Sequence, residues 1–181
     1  MSRKYKFLNN EGLYFVSFAT VNWIDVFIRE IYFNEVIKSL KFCVKEKGME
    51  IFAYCIMTNH LHLIFRALNN NPGELLKSFK QYTSNSLQKL IAENTAESRK
   101  EWMLWMMERA AAKNSNFKKR QFWQQHNHPI ELWSSEVMDQ KLNYIHMNPV
   151  KAGFVEEAKD WRYSSAIDYS GGKGLLEISF L

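Results

Sequence analysis

The sequence predicts an α+β fold: a ferredoxin-like antiparallel sheet with helices on one face. Three observations carry that expectation. Segments with a two-residue apolar period alternate with segments of 3.6-residue period in the order β-α-β-β-α-(α)-β. The run Asn69-Asn-Asn-Pro-Gly73 breaks the chain sharply between the third strand and the second helix. The 181 residues are 46% hydrophobic and 15% aromatic, enough for one well-filled core and short for two.

Leu13 to Val21 is β-rich and forms the first predicted strand, introduced by Gly12. Phe33, Val36, Ile37, Leu40 and Val44 then recur at helical spacing from Ile31 to Lys47, with Gly48 as the stop. Met49 to Met57 and His60 to Arg66 follow as the second and third strands around the turn-like pair Thr58-Asn59. Beyond the breaker, Leu75, Leu76, Phe79, Tyr82, Leu87, Leu90 and Ile91 mark a second helix, and a further one spans Arg99 to Lys113. Asn114-Ser-Asn116 ends it, and Arg120 to Trp123 is expected to begin a fourth strand. One domain, 1–181, is expected, with 1–10 and 170–181 as peripheral tails.

The last helix carries two stripes. Ser134-Ser135 offers its N-cap, and Glu136 and Asp139 suit its first turns. Met138, Leu142 and Ile145 form the apolar stripe that should dock on the body. Val137, Lys141, Tyr144 and Asn148 form a second stripe about 100° away. Tyr144 and Asn148 thus lie one turn apart on one side. Pro149 disfavours continuation, which places Asn148 at or near the helix end.

The stretch Ala53-Tyr-Cys-Ile-Met-Thr-Asn-His-Leu-His-Leu-Ile-Phe65 is the organising element. On a strand His60 and His62 share a face, while Leu61, Leu63 and Phe65 point the other way towards a core. Two adjacent imidazoles are half of a divalent metal site. The same pair can equally be two satisfied polar residues on a half-exposed strand, and the strand alone does not separate these readings. His126 and His128 match no closed zinc spacing and are read as structural; Gly171-Gly-Lys-Gly174 is read as a turn in the tail.

Net charge is +5 and the pI near 9.1. Between Arg99 and Arg120 seven basic residues meet two acids, with Trp102, Trp105, Phe117, Phe122 and Trp123 interleaved. Cations for phosphates and flat rings for bases are the components of a single-strand binding surface, against the alternative of a solvated basic helix face. Lys80, Lys118, Lys119, Arg120 and Lys141 are the candidate phosphate contacts. Cys43 and Cys55 fall in apolar stretches and are expected to be reduced core residues. No run reaches the roughly 20 apolar residues of a membrane span, and the basic N-terminus leads into Asn9-Asn10-Glu11-Gly12, not a signal-peptide apolar stretch. A cytoplasmic, nucleoid-associated protein is expected.

Taken together, Met57-Thr-Asn-His60-Leu-His62-Leu, Phe122-Trp-Gln-Gln-His126 and Tyr144-Ile-His-Met-Asn148-Pro-Val-Lys-Ala-Gly153 resemble the REP-associated tyrosine transposases, single-tyrosine members of the HUH endonucleases. The likeness runs from the first strand to Trp161-Arg-Tyr-Ser-Ser-Ala166. It implies that the tyrosine-bearing helix stands at the active site and that Tyr144 is the nucleophile. It implies that His60, His62 and a residue of the tyrosine helix, Asn148, bind a divalent cation, Mg²⁺ or Mn²⁺. Relatives in the wider family have Gln where this chain has Asn148. The implied partner is single-stranded or hairpin DNA, handled by a monomer or homodimer. Two other readings stay open: a domesticated hairpin-DNA-binding protein of the same fold, and an RNA-binding module that needs no metal.

Overall fold

The computed structural model describes residues 7–114 and 119–181. Strands β1 (Tyr14–Ala19), β2 (Met49–Ile56), β3 (His60–Ala67) and the short β4 (Ile130–Glu131) form one sheet in the order β2-β3-β1-β4, and every pair is antiparallel. Helices α1 (Glu30–Lys47), α2 (Pro72–Glu93) and α3 (Lys100–Ala112) alternate with them, followed by α4 (Ser135–Lys151) and the single turn α5 (Ala166–Tyr169).

Side-chain alternation splits the core in two. Tyr14, Val16 and Phe18 of β1 and Leu61, Leu63 and Phe65 of β3 point into the larger cluster, where α1 and α2 supply Val36, Leu40, Leu76 and Phe79. The other face buries Phe15, Ala53, Cys55 and Ile64 beneath Ile145 of α4. The tyrosine-bearing helix therefore lies across the sheet from α1 and α2, on the face that carries the histidines. Val137, Met138 and Leu142 complete its docked stripe.

Local signals fix the helix ends. Gly48 ends α1 at φ 68°, a left-handed conformation that a Cβ would penalise, and its N–H bonds the Cys43 carbonyl. Asn71 caps α2 by accepting the Glu74 N–H at 3.2 Å, with Pro72 in the first turn. Ser134 caps α4 by accepting the Val137 N–H. Both cysteines are buried and free. Among the described residues, no helix is long and apolar enough to cross a membrane.

Three expectations need correction. The segment 120–123 is not a strand of the sheet. Only Trp123 bridges Thr20, and the fourth strand is Ile130–Glu131, paired with Tyr14 and Phe15. Phe122 and Trp123 are both buried, the Trp123 indole donates to Thr83 Oγ1 at 3.0 Å, and the backbone pairing is limited to one bridge, with the Val21 N–H on the Phe122 carbonyl and the Gln124 N–H on the Ala19 carbonyl, both at 2.8 Å. Helix α4 also runs three residues past Asn148, through Pro149. So near the end proline removes little of the ladder. Gly153, at φ 75°, then closes the terminus, with Phe154 N–H bonded to the Pro149 carbonyl at 2.9 Å. The residues after 170 do turn at Gly171, but they are not peripheral: Leu176 is buried in the main core and Ser179 N–H bonds the Ile51 carbonyl at 2.8 Å.

A buried carboxylate ties the ends of these elements together. Glu97, in the loop between α2 and α3, has a fully buried side chain. It accepts from Arg29 Nε at 2.8 Å, Arg99 Nε at 3.0 Å and the Arg99 N–H at 3.1 Å, while Arg99 also donates to the Asp25 carbonyl. Burial alone pushes the carboxyl pKa up, but the Arg99 and Arg29 hydrogen bonds and the Arg99 charge outweigh it and hold the group at about 2. The folded value lies below the ordinary 4.5, so the stability it contributes is complete above that range and drains away as pH falls towards 2. Glu97→Gln should cost about 3 kcal/mol in urea unfolding at neutral pH, because it leaves two guanidinium groups facing a neutral amide. It should also flatten the acid limb of the stability curve below about pH 4.5.

Candidate active site

The site is built on the face of the sheet away from α1 and α2. β3 presents His60 and His62 there, and the register sets Ala19 opposite His60 and both Ser17 and Cys55 opposite His62. These small cross-strand neighbours leave the rings uncovered by the sheet. Helix α4 crosses above them with Lys141, Tyr144 and Asn148 one turn apart in succession.

The rings then pack edge to face. The imidazoles are 4.7 Å apart between centroids and nearly perpendicular. Phe15 stacks on His62 at 5.8 Å, and Tyr144 meets His62 edge-on at 5.1 Å. Tyr144 is 41% exposed, so its ring is seated against His62 without being enclosed. Asn148 Nδ2 lies 3.2 Å from His62 Nε2. A half-turn of that amide would present its oxygen instead. The Lys141 ammonium lies 5.0 Å from the Phe15 ring centre and 5.7 Å from that of Tyr144.

Both histidines are neutral at physiological pH. Burial, assisted by the charges of His60 and Lys141, lowers the His62 pKa to about 3. Burial also lowers that of His60, against the opposing pull of a hydrogen bond to Asn148 and the charge of Asp25. Asn59 Oδ1 accepts from His60 Nδ1 at 2.7 Å, since Asn59 Nδ2 is engaged by Asp25, and this leaves Nε2 as the unprotonated ring nitrogen. Asn59 is held in turn by Asp25, which accepts from Asn59 Nδ2 at 2.9 Å and from Thr58 Oγ1 at 2.6 Å. His62 Nδ1 is buried without a hydrogen-bond partner among the described residues. Two neutral imidazoles and a carboxamide oxygen make a nitrogen–oxygen donor set that fits a divalent cation. Among the described residues no third histidine, cysteine or carboxylate joins them.

Asp25, Thr58 and Asn59 were not visible as site residues in the sequence. The one available signal was the adjacency of Asn59 to His60, where the pair Thr58-Asn59 reads only as a turn. Lys141, by contrast, joins Tyr144 as its helical stripe implies. The other predicted phosphate contacts lie elsewhere. The Lys80 ammonium is directed at the Gln124 carbonyl (2.9 Å) and Asn127 Oδ1, and burial pulls its pKa down to about 7. It lines a cleft of about 800 Å³ together with Lys77, Lys119, Arg120 and Trp123. Arg120 is paired with Glu108 at 2.8 Å, Lys119 is exposed, and Lys118 lies outside the described residues. His126 and His128 lie 6.0 Å apart between ring centroids, on either side of Asn127, whose carbonyl accepts from the Ser17 N–H at 3.1 Å.

Comparison with known proteins bears on the family and the fold. The family model described as "Transposase IS200 like" matches residues 14–108, slightly more than half of the chain. The chain belongs to the IS200-like transposase family. That match includes His60 and His62 and ends before Tyr144 and Asn148. This transposase-family chain is also 28% identical over 154 residues to a Haemophilus influenzae protein provisionally named a REP-associated tyrosine transposase, covering 85% of the chain and 79% of the relative. A solved REP-associated tyrosine transposase, bound to a REP hairpin, superimposes with a TM-score of 0.64 at 16% identity and covers all of this chain and 95% of the other. The likeness to that structure establishes the tyrosine transposase fold.

The buried state of His62 can be read directly. In the metal-free protein its ring resonances should stay constant from pH 8 to about pH 4 in a histidine-selective NMR titration, since its folded pKa is about 3. Because that value lies below the ordinary 6.5, protonation favours the unfolded chain. The contribution of neutral His62 to stability is therefore full above about pH 6.5 and lost as the pH falls. A midpoint near 6.5 would mean that water reaches the ring freely.

Proposed function

We propose that this chain is a metal-dependent single-strand DNA endonuclease and strand transferase, and that it attacks a scissile phosphate with Tyr144 at REP-like hairpin DNA. The observation that supports this best is the half-exposed phenol of Tyr144 held edge-on to His62 at 5.1 Å, with Asn148 one turn along the same helix. His60, His62, Tyr144 and Asn148 of one chain lie together, in keeping with a site assembled within one chain. The hairpin substrate class is in keeping with the structural neighbour bound to a REP hairpin. The expected location is the cytoplasm, at nucleoid DNA.

His60, His62 and Asn148 would hold the cation, Mg²⁺ or Mn²⁺. When bound, it supplies polarisation of the phosphate and neutralises developing charge. The residues themselves do the following. Tyr144 Oη forms the new bond to phosphorus, the bond to the 3′ oxygen breaks, the phenolic proton passes to solvent and the 3′ oxygen takes up a proton. The products are a 5′-phosphotyrosine and a free 3′-OH. A 3′-OH from another end can then attack the phosphotyrosine, restoring Tyr144 and joining the strands, so no nucleotide cofactor is needed. A phenol is a weak nucleophile until it is activated, and the Lys141 ammonium, 5.7 Å from the Tyr144 ring centre, is placed to meet the charge of a bound phosphate. Phe15, edge-on to Tyr144 at 5.9 Å, limits the ring's motion. Asn59 and Asp25 keep the His60 lone pair aimed into the site.

The deciding experiment incubates the protein with single-stranded and hairpin oligonucleotides and Mn²⁺ and looks for a covalent adduct by denaturing gel. Tyr144→Phe should cut adduct formation by at least about 1,000-fold. It should change stability by no more than about 0.5 kcal/mol, since the residue is partly exposed and phenylalanine keeps its ring. Cleavage by that variant at the wild-type rate would remove Tyr144 from the mechanism. Asn59→Ala should weaken Mn²⁺ affinity by about 10- to 100-fold in calorimetric titration, because His60 would lose the partner that orients it. Affinity for hairpin DNA should fall steeply with salt, and Lys119→Ala should reduce the slope of log affinity against log salt by about 1; an unchanged slope would make Lys119 a solvated side chain only.

A further inference from the structure

One residue beside the site is held in a conformation that its own chemistry disfavours. At the end of β1 the chain makes a single 3-10 turn, Val21–Trp23, and both Asn22 (φ 53°) and Trp23 (φ 54°) are left-handed. Asparagine tolerates this region; a tryptophan does so rarely, because its Cβ crowds the following carbonyl. The surroundings enforce it. Thr20 N–H bonds the Asn59 carbonyl at 2.9 Å, Trp23 N–H bonds the Thr20 carbonyl at 3.2 Å, and Asn59 Nδ2 approaches the Trp23 carbonyl at 3.4 Å. The same Asn59 that orients His60 thus also braces this turn.

The result is an indole displayed in the open. Trp23 is 57% exposed, yet its ring is 5.7 Å from His60, edge to face. Val21 and Ile24 on either side are buried, so the turn is anchored while its tryptophan is not. Burial does not explain the side chain, and the backbone opposes it; such strain at the rim of a site is the mark of a positioning role. A flat, largely exposed ring next to a phosphate-cleaving centre has one natural occupant in a nucleic acid, an unpaired base.

We propose that Trp23 is a stacking platform for an unpaired base adjacent to the scissile phosphate, setting where along the strand that phosphate meets Tyr144. The proposal rests on the reading of the site as one that acts on single-stranded DNA. Trp23 acts by positioning the substrate and takes no part in bond making.

The test is a coupling measurement on the intact chain, with a short single-stranded DNA oligonucleotide along which one abasic nucleotide is walked position by position. Trp23→Ala should weaken binding of the unmodified oligonucleotide by about 5- to 150-fold, the range for loss of one base–aromatic stack. At one abasic position the wild type should lose affinity by a similar factor, and at that position the variant should lose nothing further. Trp23→Phe should recover most of the affinity. Trp23→Gly, suited to the left-handed backbone, should melt at or above the temperature of Trp23→Ala while binding no better, which separates a platform from a merely structural residue. Wild-type affinity in Trp23→Ala, or losses that multiply at every abasic position, would overturn the platform. Binding with this coupling pattern but no covalent adduct would overturn the nuclease reading and leave the platform standing. A wild type that binds no single strand would overturn both.

Discussion

The candidate site depends first on the pairing of β1 with β3. That register puts Ser17 and Ala19 across from the two histidines. A slip of one residue would turn both imidazoles into the apolar core and set Leu61 and Leu63 in their place. The opposite face forbids the slip, because Leu61, Leu63 and Phe65 would all leave the core that they share with Tyr14, Val16 and Phe18. Burying one such side chain is worth about 1.5–3 kcal/mol, so the register is among the most strongly specified features of the molecule. The chemistry on one side of the sheet is held in place by the hydrocarbon on the other.

Much of this was legible in sequence because it follows from periodicity. A two-residue period places His60 and His62 together, and a 3.6-residue period aligns Lys141, Tyr144 and Asn148. Their meeting across the sheet follows from the split of apolar residues on β3 and α4. Other features were not legible because they are tertiary. Nothing in the order Asp25…Thr58-Asn59 announces that a carboxylate 33 residues upstream of Thr58 accepts its hydroxyl and steadies the amide beside His60. Phe122 and Trp123 looked like a strand because aromatic residues fill strands and buried loops alike. Pro149 looked like a stop, although in the last turn of a helix it removes little.

Charge was the least reliable guide. The basic run from Arg99 to Arg120 suggests a cationic surface, yet Arg99 is committed to Glu97 and Arg120 to Glu108. Lys80, expected to face solvent phosphate, is drawn inward over the Phe18 ring at 5.1 Å and bound to carbonyl and amide oxygens. A count of cations by sequence position overstates the field available to a ligand, because the folded chain spends part of it on its own acids. Lys141 reaches the candidate site because a helix places it beside an aromatic pair, not because its neighbours in sequence are basic.

The strap formed by the C-terminal residues has a consequence for self-association. β2 is an outer strand of the sheet, and such a strand ordinarily offers unpaired amides and carbonyls to any passing chain. Here Ile56 N–H bonds the Tyr163 carbonyl, Ser165 N–H bonds the Tyr54 carbonyl and Ser179 N–H bonds the Ile51 carbonyl. Tyr169 Oη donates to the Phe52 carbonyl, filling the gap left by the β-bulge there. The other outer strand, β4, is two residues long and too short to template a partner. Among the described residues both outer strands are thereby blunted, which discourages lengthening of the sheet by a second copy, and most of the cover on β2 comes from Tyr163, Ser165 and Tyr169 and not from the final residues.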